Sequence, residues 1–194
     1  MSTNPSTLAS KAESQFQTIL ATHFDQATKA KAAYRDQVKQ IHANEMTSSK
    51  AKELEQEEAR TELLGKLEAI KSKQDAAIGE LQQHYSNLYR GRQPEDAGSV
   101  RLRRDAIQAA RALTTEDELQ SALDDAIHNN DPTMAHAVGH VSRGTFSTVW
   151  NSYAEHFPKV ANASDAMLRV QALATDQETT LANSITYSTT NVDE

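Results

Sequence analysis

Two histidines stand four residues apart in the segment His136-Ala137-Val138-Gly139-His140. On a helix this spacing places both imidazoles on one face, where they can bind a zinc ion. The metalloprotease form of the motif needs a glutamate directly after the first histidine, and Ala137 stands there instead. Because the sequence also has no cysteine to complete a structural zinc site, we expect no metal site and two partly exposed histidines.

Other residue patterns that carry catalysis are missing from the sequence. Asp124 and Asp125 are adjacent, so their carboxylates do not share one face of a helix. The sequence contains no glycine-rich phosphate loop and no Gly-x-Ser-x-Gly nucleophile motif. We therefore expect no catalytic residues, no cofactor and no enzymatic activity.

Arginines are concentrated in one stretch, which holds Arg90, Arg92, Arg101, Arg103, Arg104 and Arg111. Such a cluster can bind phosphate or an acidic protein partner. It can also be neutralised within the fold, because the next helix carries Glu116, Asp117, Glu118, Asp124 and Asp125. Since no aromatic residues are interleaved for base stacking, nucleic acid is the less favoured partner. We take Arg101, Arg103 and Arg104 as candidate contacts to a partner.

Aromatic residues recur at helical spacing just before Pro158, namely Phe146, Trp150, Tyr153 and Phe157. Core packing is the favoured interpretation of this stripe. The alternative is that one of these rings is an exposed anchor for a partner. Trp150 and Tyr153 are therefore further candidate contacts.

These side chains must be positioned by helices, because the segment between Pro5 and Pro94 lacks proline and is rich in strong helix formers. One apolar stripe contains Phe16, Leu20, His23, Ala27, Ala30, Tyr34, Val38 and Ile41. A second contains Leu54, Thr61, Leu64, Leu67, Ile70, Gln74, Ile78, Leu81, Tyr85 and Leu88. Both have a spacing near 3.5 residues, which is typical of coiled-coil helices. Each helix would be on the order of 55–60 Å long.

A turn is predicted at residues 44–49, because Thr47, Ser48 and Ser49 are suited to cap a helix. A short turn places the two helices antiparallel as a hairpin. One continuous rod that dimerises with a copy of itself is the alternative. Because Ala27, Ala30 and Gln74 dilute the stripes, the hairpin would be a weakly stable spacer, or its exposed surface would pack on other molecules.

The remainder of the chain has the signals of short helices. Thr115-Glu116-Asp117-Glu118 is a capping box, and Asp131-Pro132 combines an N-cap with proline at the first helical position. Ser99 and Ser164 are expected to cap two further helices. The sequence therefore predicts an all-α fold, a long antiparallel coiled-coil-like hairpin followed by a small bundle of short helices. The expected boundaries are a flexible N-terminus at 1–7, the hairpin at 8–90, a linker at 91–98, the bundle at 99–183 and a flexible tail at 184–194.

Charge and hydropathy indicate which partners and cellular locations to expect. The net charge is −7, and residues 114–194 alone carry −9, which disfavours general binding of nucleic acid by this part. No stretch approaches the roughly 20 apolar residues that span a bilayer, and the N-terminus lacks the plan of a secretion signal. We expect a soluble protein without membrane contacts, in the cytoplasm or in a particle assembled there.

About residues 100–160, together with the hairpin architecture, carry a pattern that resembles a protein family. The pattern is a Thr-x-Glu-Glu-Leu-like helix start (Thr115 to Leu119), an Asp-x-x-x-Ala-x-Ala-Val helix (Asp131 to Val138) and an aromatic helix ending at Phe157-Pro158. Together with the charged hairpin, it resembles uncharacterised helical proteins encoded among the virion structural genes of tailed phages of high-GC Gram-positive bacteria. This resemblance implies a role in capsid or head–tail assembly, and no reaction.

The resulting prediction is a non-enzymatic structural or assembly protein. It would form homo-oligomers or dock on capsid, portal or tail proteins of a virion, in the host cytoplasm or in the particle. The alternatives are a cytoplasmic coiled-coil adaptor that binds one partner protein and, less favoured, a nucleic-acid-associated protein that uses the arginine-rich segment 90–111. Within the virion interpretation, the protein could be a component that the particle retains or a scaffold that leaves it.

Overall fold

The computed structural model of the protein describes residues 7–90 and 96–189. Within these two ranges the regular secondary structure is entirely helical, so the predicted all-α class is confirmed. The helices are α1 (Thr7–Ala43), α2 (Ser49–Arg90), α3 (Ala97–Ala112), α4 (Glu116–His128), α5 (Pro132–Ser142), α6 (Ser147–His156), α7 (Pro158–Thr175) and α8 (Gln177–Tyr187).

The chain forms two compact units. One, which we call the hairpin unit, contains the described residues up to Tyr85 and from Ala166 onward. The other, the bundle unit, is Ser86–Asp165. Both boundaries fall inside helices, the first in α2 and the second in α7.

The predicted helical hairpin is confirmed, and the continuous rod is excluded. α1 ends at Ala43 and α2 begins at Ser49, and the Ser48 side-chain oxygen accepts a hydrogen bond from the Ala51 N–H. The helices are antiparallel, because Phe16 near the start of α1 shares a buried cluster with Tyr85 near the end of α2. Further along, Tyr34 packs with Ala59 and Leu63.

The predicted apolar stripe of α2 is correct from Leu67 to Tyr85 and wrong at both ends. At its C-terminal end, Leu88 is 45% exposed. Ala59 and Leu63 are buried, whereas Leu54 and Leu64 are 61% and 47% exposed. The physical reason is that the large ring of Tyr34 packs in the same cluster as the small Ala59 side chain. Size complementarity between Tyr34 and Ala59 therefore decides which face of α2 is buried. The hydrophobic pattern alone selects Leu64 instead of its neighbour Leu63.

A third helical layer completes the hairpin unit. Ala166 and Val170 of α7 are fully buried in the cluster that contains Phe16 and Tyr85. α8 packs on α1, and Tyr187 at its end joins the cluster around Tyr34. The sequence predicted residues 166–183 as part of the bundle, and the structure corrects this assignment. The narrow apolar face of the two-helix hairpin is covered by these helices.

A buried polar layer fixes the register of α8 on α2. Gln74 is 0% exposed, and its amide Nε2 donates a hydrogen bond of 2.8 Å to the Asn183 side-chain oxygen. The Tyr187 hydroxyl donates to Gln74 Oε1, also at 2.8 Å. Gln74 therefore does not simply dilute the apolar stripe, because a buried amide is stable only where these partners are in place.

In the bundle unit, α5 packs against α3, α4 and α6. Leu119 and Leu123 of α4, Val138 of α5 and Val149 of α6 are fully buried in its core. The predicted caps are present at Thr115, where both hydrogen bonds of the capping box form, and at Asp131, which accepts from the Met134 N–H. These caps start α4 and α5 where the sequence predicts.

Several predicted boundaries need correction. α3 begins at Ala97, and its N-cap is Asp96 rather than the predicted Ser99. The Asp96 carboxylate accepts a hydrogen bond from the Ser99 N–H. α7 begins at Pro158, because proline is favoured at the first helical position; Ser164, the predicted cap, is buried within this helix. The helix α8 continues through Tyr187 into the predicted tail.

The remaining boundary predictions concern residues outside the described ranges. Residues 1–6 of the predicted N-terminus, 91–95 of the predicted linker and 190–194 of the predicted tail lie there. Thr7, by contrast, already belongs to α1.

Candidate functional site

The two histidines of α5 lie against tyrosines of the bundle unit. His136 Nδ1 is 2.7 Å from the hydroxyl oxygen of Tyr153, and its ring centroid is 4.7 Å from that of Phe157. His140 Nδ1 is 2.9 Å from the hydroxyl oxygen of Tyr89, which lies near the end of α2. The i, i+4 spacing on α5 therefore holds two histidine–tyrosine hydrogen bonds. Within residues 7–90 and 96–189, no group of three or more His, Asp or Glu is arranged to hold a metal ion.

Tyr153 is buried at the centre of this arrangement. Its side chain is 2% exposed, and burial raises the pKa of its hydroxyl, with a smaller contribution from Tyr89. Its ring stacks on Phe157 at 5.0 Å and lies so close to α5 that a Cβ added at Gly139 would be 2.6 Å from it. The prediction that Tyr153 contacts a partner is therefore wrong, because the ring is already enclosed by its own unit.

Arg143 connects two aromatic rings at the surface. Its guanidinium carbon is 5.0 Å from the ring centroid of Tyr89 and 5.4 Å from that of Trp150. The same guanidinium donates a hydrogen bond of 2.7 Å to the carbonyl of Ser164. Trp150 is half-buried, so its predicted partner role is limited to the part of the ring that remains exposed. A cation over an aromatic face is an attractive arrangement, which holds Arg143 in place.

The positive charges of four arginines act on His140. They are Arg90 at the end of α2, Arg103 and Arg111 on α3, and Arg143 at the C-cap of α5. Partial burial, and then repulsion from all four positive charges, lowers the pKa of His140. We call these four arginines and His140 the basic patch. Burial, and then the charge of Arg103, lowers the pKa of His136 in the same way.

The three candidate arginines of α3 separate into two groups. Arg103 belongs to the basic patch, and its guanidinium donates to the Arg90 carbonyl at 3.2 Å. Arg101 and Arg104 instead lie 3.6 Å and 3.9 Å from carboxylate oxygens of Asp105 on their own helix.

The sequence also predicts that acidic residues of α4 neutralise the arginines. At the start of α4, one of these residues caps the helix. The Glu118 carboxylate accepts hydrogen bonds from the N–H groups of Thr114 and Thr115. These bonds hold the pKa of Glu118 below its usual value.

Two members of the site were not identified from sequence. Tyr89 directly precedes Arg90 but belongs to the predicted hairpin, and Arg143 stands alone between α5 and α6, 32 residues after Arg111. The only available signal for Arg143 was that it is the first basic residue after Arg111 other than histidine. Its role follows from the packing of α5 and α6.

A second distinctive surface lies on the hairpin unit, along the side of α2 opposite its buried residues. Its exposed members are Leu54, Glu57, Glu58, Thr61, Gly65, Glu68, Ser72, Asp75 and Gly79. We call these residues the acidic face of α2, because every charged residue among them is acidic. At its start a shallow depression of about 410 Å³ is lined by Leu54, Glu57, Glu58, Thr61 and Glu62. A Cβ added at Gly65 or Gly79 would meet nothing within 4 Å.

Taken together, the fold defines an all-α protein with a long helical hairpin and a unit of short helices. Among the described residues, every helix is too short or too polar to serve as a membrane span. Comparison with protein-family models, curated proteins and solved structures finds no significant match to this chain.

Proposed function

We propose that this chain is a non-enzymatic helical structural or assembly protein. Its setting would be the virion of a tailed phage, or the assembly of the phage head or tail. There it would associate with copies of itself or with capsid, portal or tail proteins. The phage setting comes from the sequence resemblance of about residues 100–160 and the hairpin, and the assembly role also has support from the surface of the helices.

The observation that carries the assembly role is the set of large apolar side chains on outward-facing helix surfaces. In the hairpin unit, Leu54 and Leu64 of α2 and Leu181 and Ile185 of α8 are 47–66% exposed. Leu181 and Ile185 are four residues apart, so they lie on one face of α8. Neighbouring exposed apolar residues are typical of surfaces that contact other proteins.

The buried side of the hairpin unit supports the same role. Its three-layer core contains small residues such as Ala12, Ala27 and Ala59, and the polar side chain of Gln74 is fully buried in it. A core of this kind buries little apolar area per turn, so its helices gain only modest stability from packing. In an ordered assembly, many weak contacts between copies add up through high effective concentration.

The first test is sedimentation of the pure protein at micromolar concentrations. We expect concentration-dependent association. Replacing Leu181 and Ile185 by Glu should weaken it by about tenfold, because two charges would be buried in a contact. The matched control replaces Thr180 and Ser184, which are exposed neighbours on the same helix, by Glu and should leave association nearly unchanged.

The second test is mass spectrometry of purified phage particles from a source that encodes this protein. Its presence at a fixed copy number supports a retained virion component, and its presence only in immature particles supports a scaffold. A non-associating monomer without affinity for virion proteins would contradict the proposal. A defined small oligomer that never joins particles would instead support the coiled-coil adaptor.

A further inference from the structure

The outward side of α8 carries large apolar residues and almost no charge. Leu181 and Ile185 are 59% and 66% exposed. From Thr179 to Tyr187 the sequence contains no charged residue, whereas the exposed surface of α2 is rich in glutamate and lysine. Exposed apolar side chains on a surface depleted of charge are typical of the centre of a protein–protein contact.

One side of α8 is symmetric in its spacing. The residues along it follow each other at steps of 3, 4 and 3 positions: Glu178, Leu181, Ile185 and Ser188. Steps of this size keep them on one side of the helix. Leu181 and Ile185 each lie two residues from Asn183, so a two-fold axis at that level would place Leu181 of one copy opposite Ile185 of another. A contact between two identical surfaces requires such self-complementarity.

The two ends of this side of α8 carry opposite charges. Near the start, Glu178 is exposed and stands seven residues, or about two helical turns, before Ile185. Near the end, the Lys31 Nζ of α1 donates a hydrogen bond of 3.3 Å to the Ile185 carbonyl. In an antiparallel pair of α8 helices, Glu178 of each copy would therefore face the Lys31 ammonium of the other. The charge pattern matches a second copy of the same surface.

We propose that α8 of one copy packs antiparallel on α8 of a second copy, with Leu181 against Ile185 at the centre and Glu178 near Lys31 at both ends. We call this arrangement the α8 contact. This inference rests on the proposed function, since it names a surface through which the assembly protein would contact itself. The two-fold axis makes the contact isologous, so it closes at two copies. Larger assemblies would use other surfaces of this pair.

The α8 contact is weak because the helix is short. α8 has 11 residues, which is about 16 Å of helix. A standard protein–protein interface buries about 800 Å² on each partner, and one side of so short a helix provides less than that. The pair therefore dissociates readily in dilute solution. In an ordered assembly the second copy is held nearby at a high effective concentration, which keeps a weak contact formed.

The test reverses the two charges in separate proteins and measures sedimentation velocity of the full chain. Glu178→Lys brings two ammonium groups together at each end of the α8 contact, and Lys31→Glu brings two carboxylates together. Each variant should weaken self-association by about tenfold. An equimolar mixture should recover the association of the original protein. In the mixed pair the new ammonium faces the new carboxylate at one end, and the original Glu178 faces the original Lys31 at the other.

The matched controls are Glu155→Lys and Lys159→Glu, which make the same charge changes at exposed positions of the bundle unit. They should change self-association by less than about threefold, because they alter only the net charge. Lys31→Glu also removes the hydrogen bond to the Ile185 carbonyl, so circular dichroism checks that each variant keeps its helical content. Local damage to α8 would persist in the mixture, whereas a lost ion pair would be recovered there.

Failure of the α8 contact is distinguishable from failure of the proposed function. Equal effects of test and control variants, or a mixture that associates no better than its components, would remove the contact and leave the assembly role standing. A monomer that binds a capsid, portal or tail protein, and loses that binding in Leu181→Glu/Ile185→Glu, would assign this side of α8 to that partner instead. If the original protein stays monomeric at every concentration and joins no particle, both proposals fail.

Discussion

In the hairpin unit a fully buried glutamine lies between helices, whereas in the bundle unit a buried glycine lets a tyrosine ring approach α5 closely. The first unit fixes the register of long helices through hydrogen bonds, because its apolar stripes repeat so regularly that several registers would bury similar areas. The second fixes short helices through caps and close packing. The comparison shows that long helices need specific polar contacts, while short helices need well-defined ends and size complementarity.

The largest effect should come from the aromatic position in the hairpin unit. Phe16 is 0% exposed and shares its cluster with Tyr85 and Val170. Phe16→Ala should lower the free energy of unfolding by about 3–5 kcal/mol, because it opens a cavity among the three helical layers. Leu64→Ala is the control, because the exposed Leu64 side chain leaves no cavity, and it should change stability by less than about 0.5 kcal/mol. Chemical denaturation followed by circular dichroism measures both; similar losses would mean that Leu64 is buried after all.

The glycine of the bundle unit provides the next test. Gly139→Ala places a Cβ 2.6 Å from atoms of the Tyr153 ring, and the overpacking should cost about 1–3 kcal/mol. Gly65→Ala should do the opposite and stabilise α2 by about 0.5–1 kcal/mol, because its Cβ meets no atom and alanine is the better helix former. Thermal unfolding of the two variants should therefore shift in opposite directions, and a shift in the same direction would contradict the close approach at Gly139.

The polar layer of the hairpin unit should show a smaller effect. Tyr187→Phe removes the hydroxyl that donates to Gln74 Oε1, and should cost about 1 kcal/mol. In the double variant Gln74→Leu/Tyr187→Phe the loss should be smaller than the sum of the single losses by about 0.5 kcal/mol or more, since the two side chains interact. Strictly additive losses in urea denaturation would show that the layer does not act as a unit.

The smallest effect should be the pH dependence of the bundle unit. The pKa values of His136 and His140 are lowered by partial burial and by nearby arginines. In the unfolded chain both histidines have the usual pKa near 6.5, so the unfolded chain binds protons more readily than the folded chain. The free energy of unfolding therefore decreases as the pH falls from about 6.5 toward the lower pKa of the folded state. Because both rings remain exposed to solvent, the loss should be modest. Thermal unfolding between about pH 8 and pH 5 measures it, and His136→Gln/His140→Gln should reduce the slope.

Local sequence signals predicted the elements of this protein well. The turn between α1 and α2, the capping box at Thr115 and the Asp131-Pro132 start all depend on residues within one helical turn of each other. Hydrophobic spacing located the buried residues of α1, such as Phe16 and Tyr34. It failed at Leu54 and Leu64, since the choice between two neighbouring faces of α2 depends on the side chains of α1.

The candidate site was predicted only in part for the same reason. Arg101, Arg103 and Arg104 were chosen together as partner contacts, and that role stays a prediction. Arg103 donates to the Arg90 carbonyl, whereas Arg101 and Arg104 lie against Asp105. Tyr153 was chosen for its aromatic spacing, and that spacing placed it in the core. Spacing along one helix does not reveal what the neighbouring helices place beside it.

By itself the sequence determined the helical class, the hairpin and the ends of most helices, because propensity, capping and turn formation act between residues that are close along the chain. The tertiary structure alone decided that α7 and α8 complete the hairpin unit, that Gln74 meets Asn183 and Tyr187, and that Arg143 lies against Tyr89 and Trp150. These contacts join residues far apart in sequence. They depend on shape and hydrogen-bond complementarity between whole helix faces, which become defined only when the helices pack.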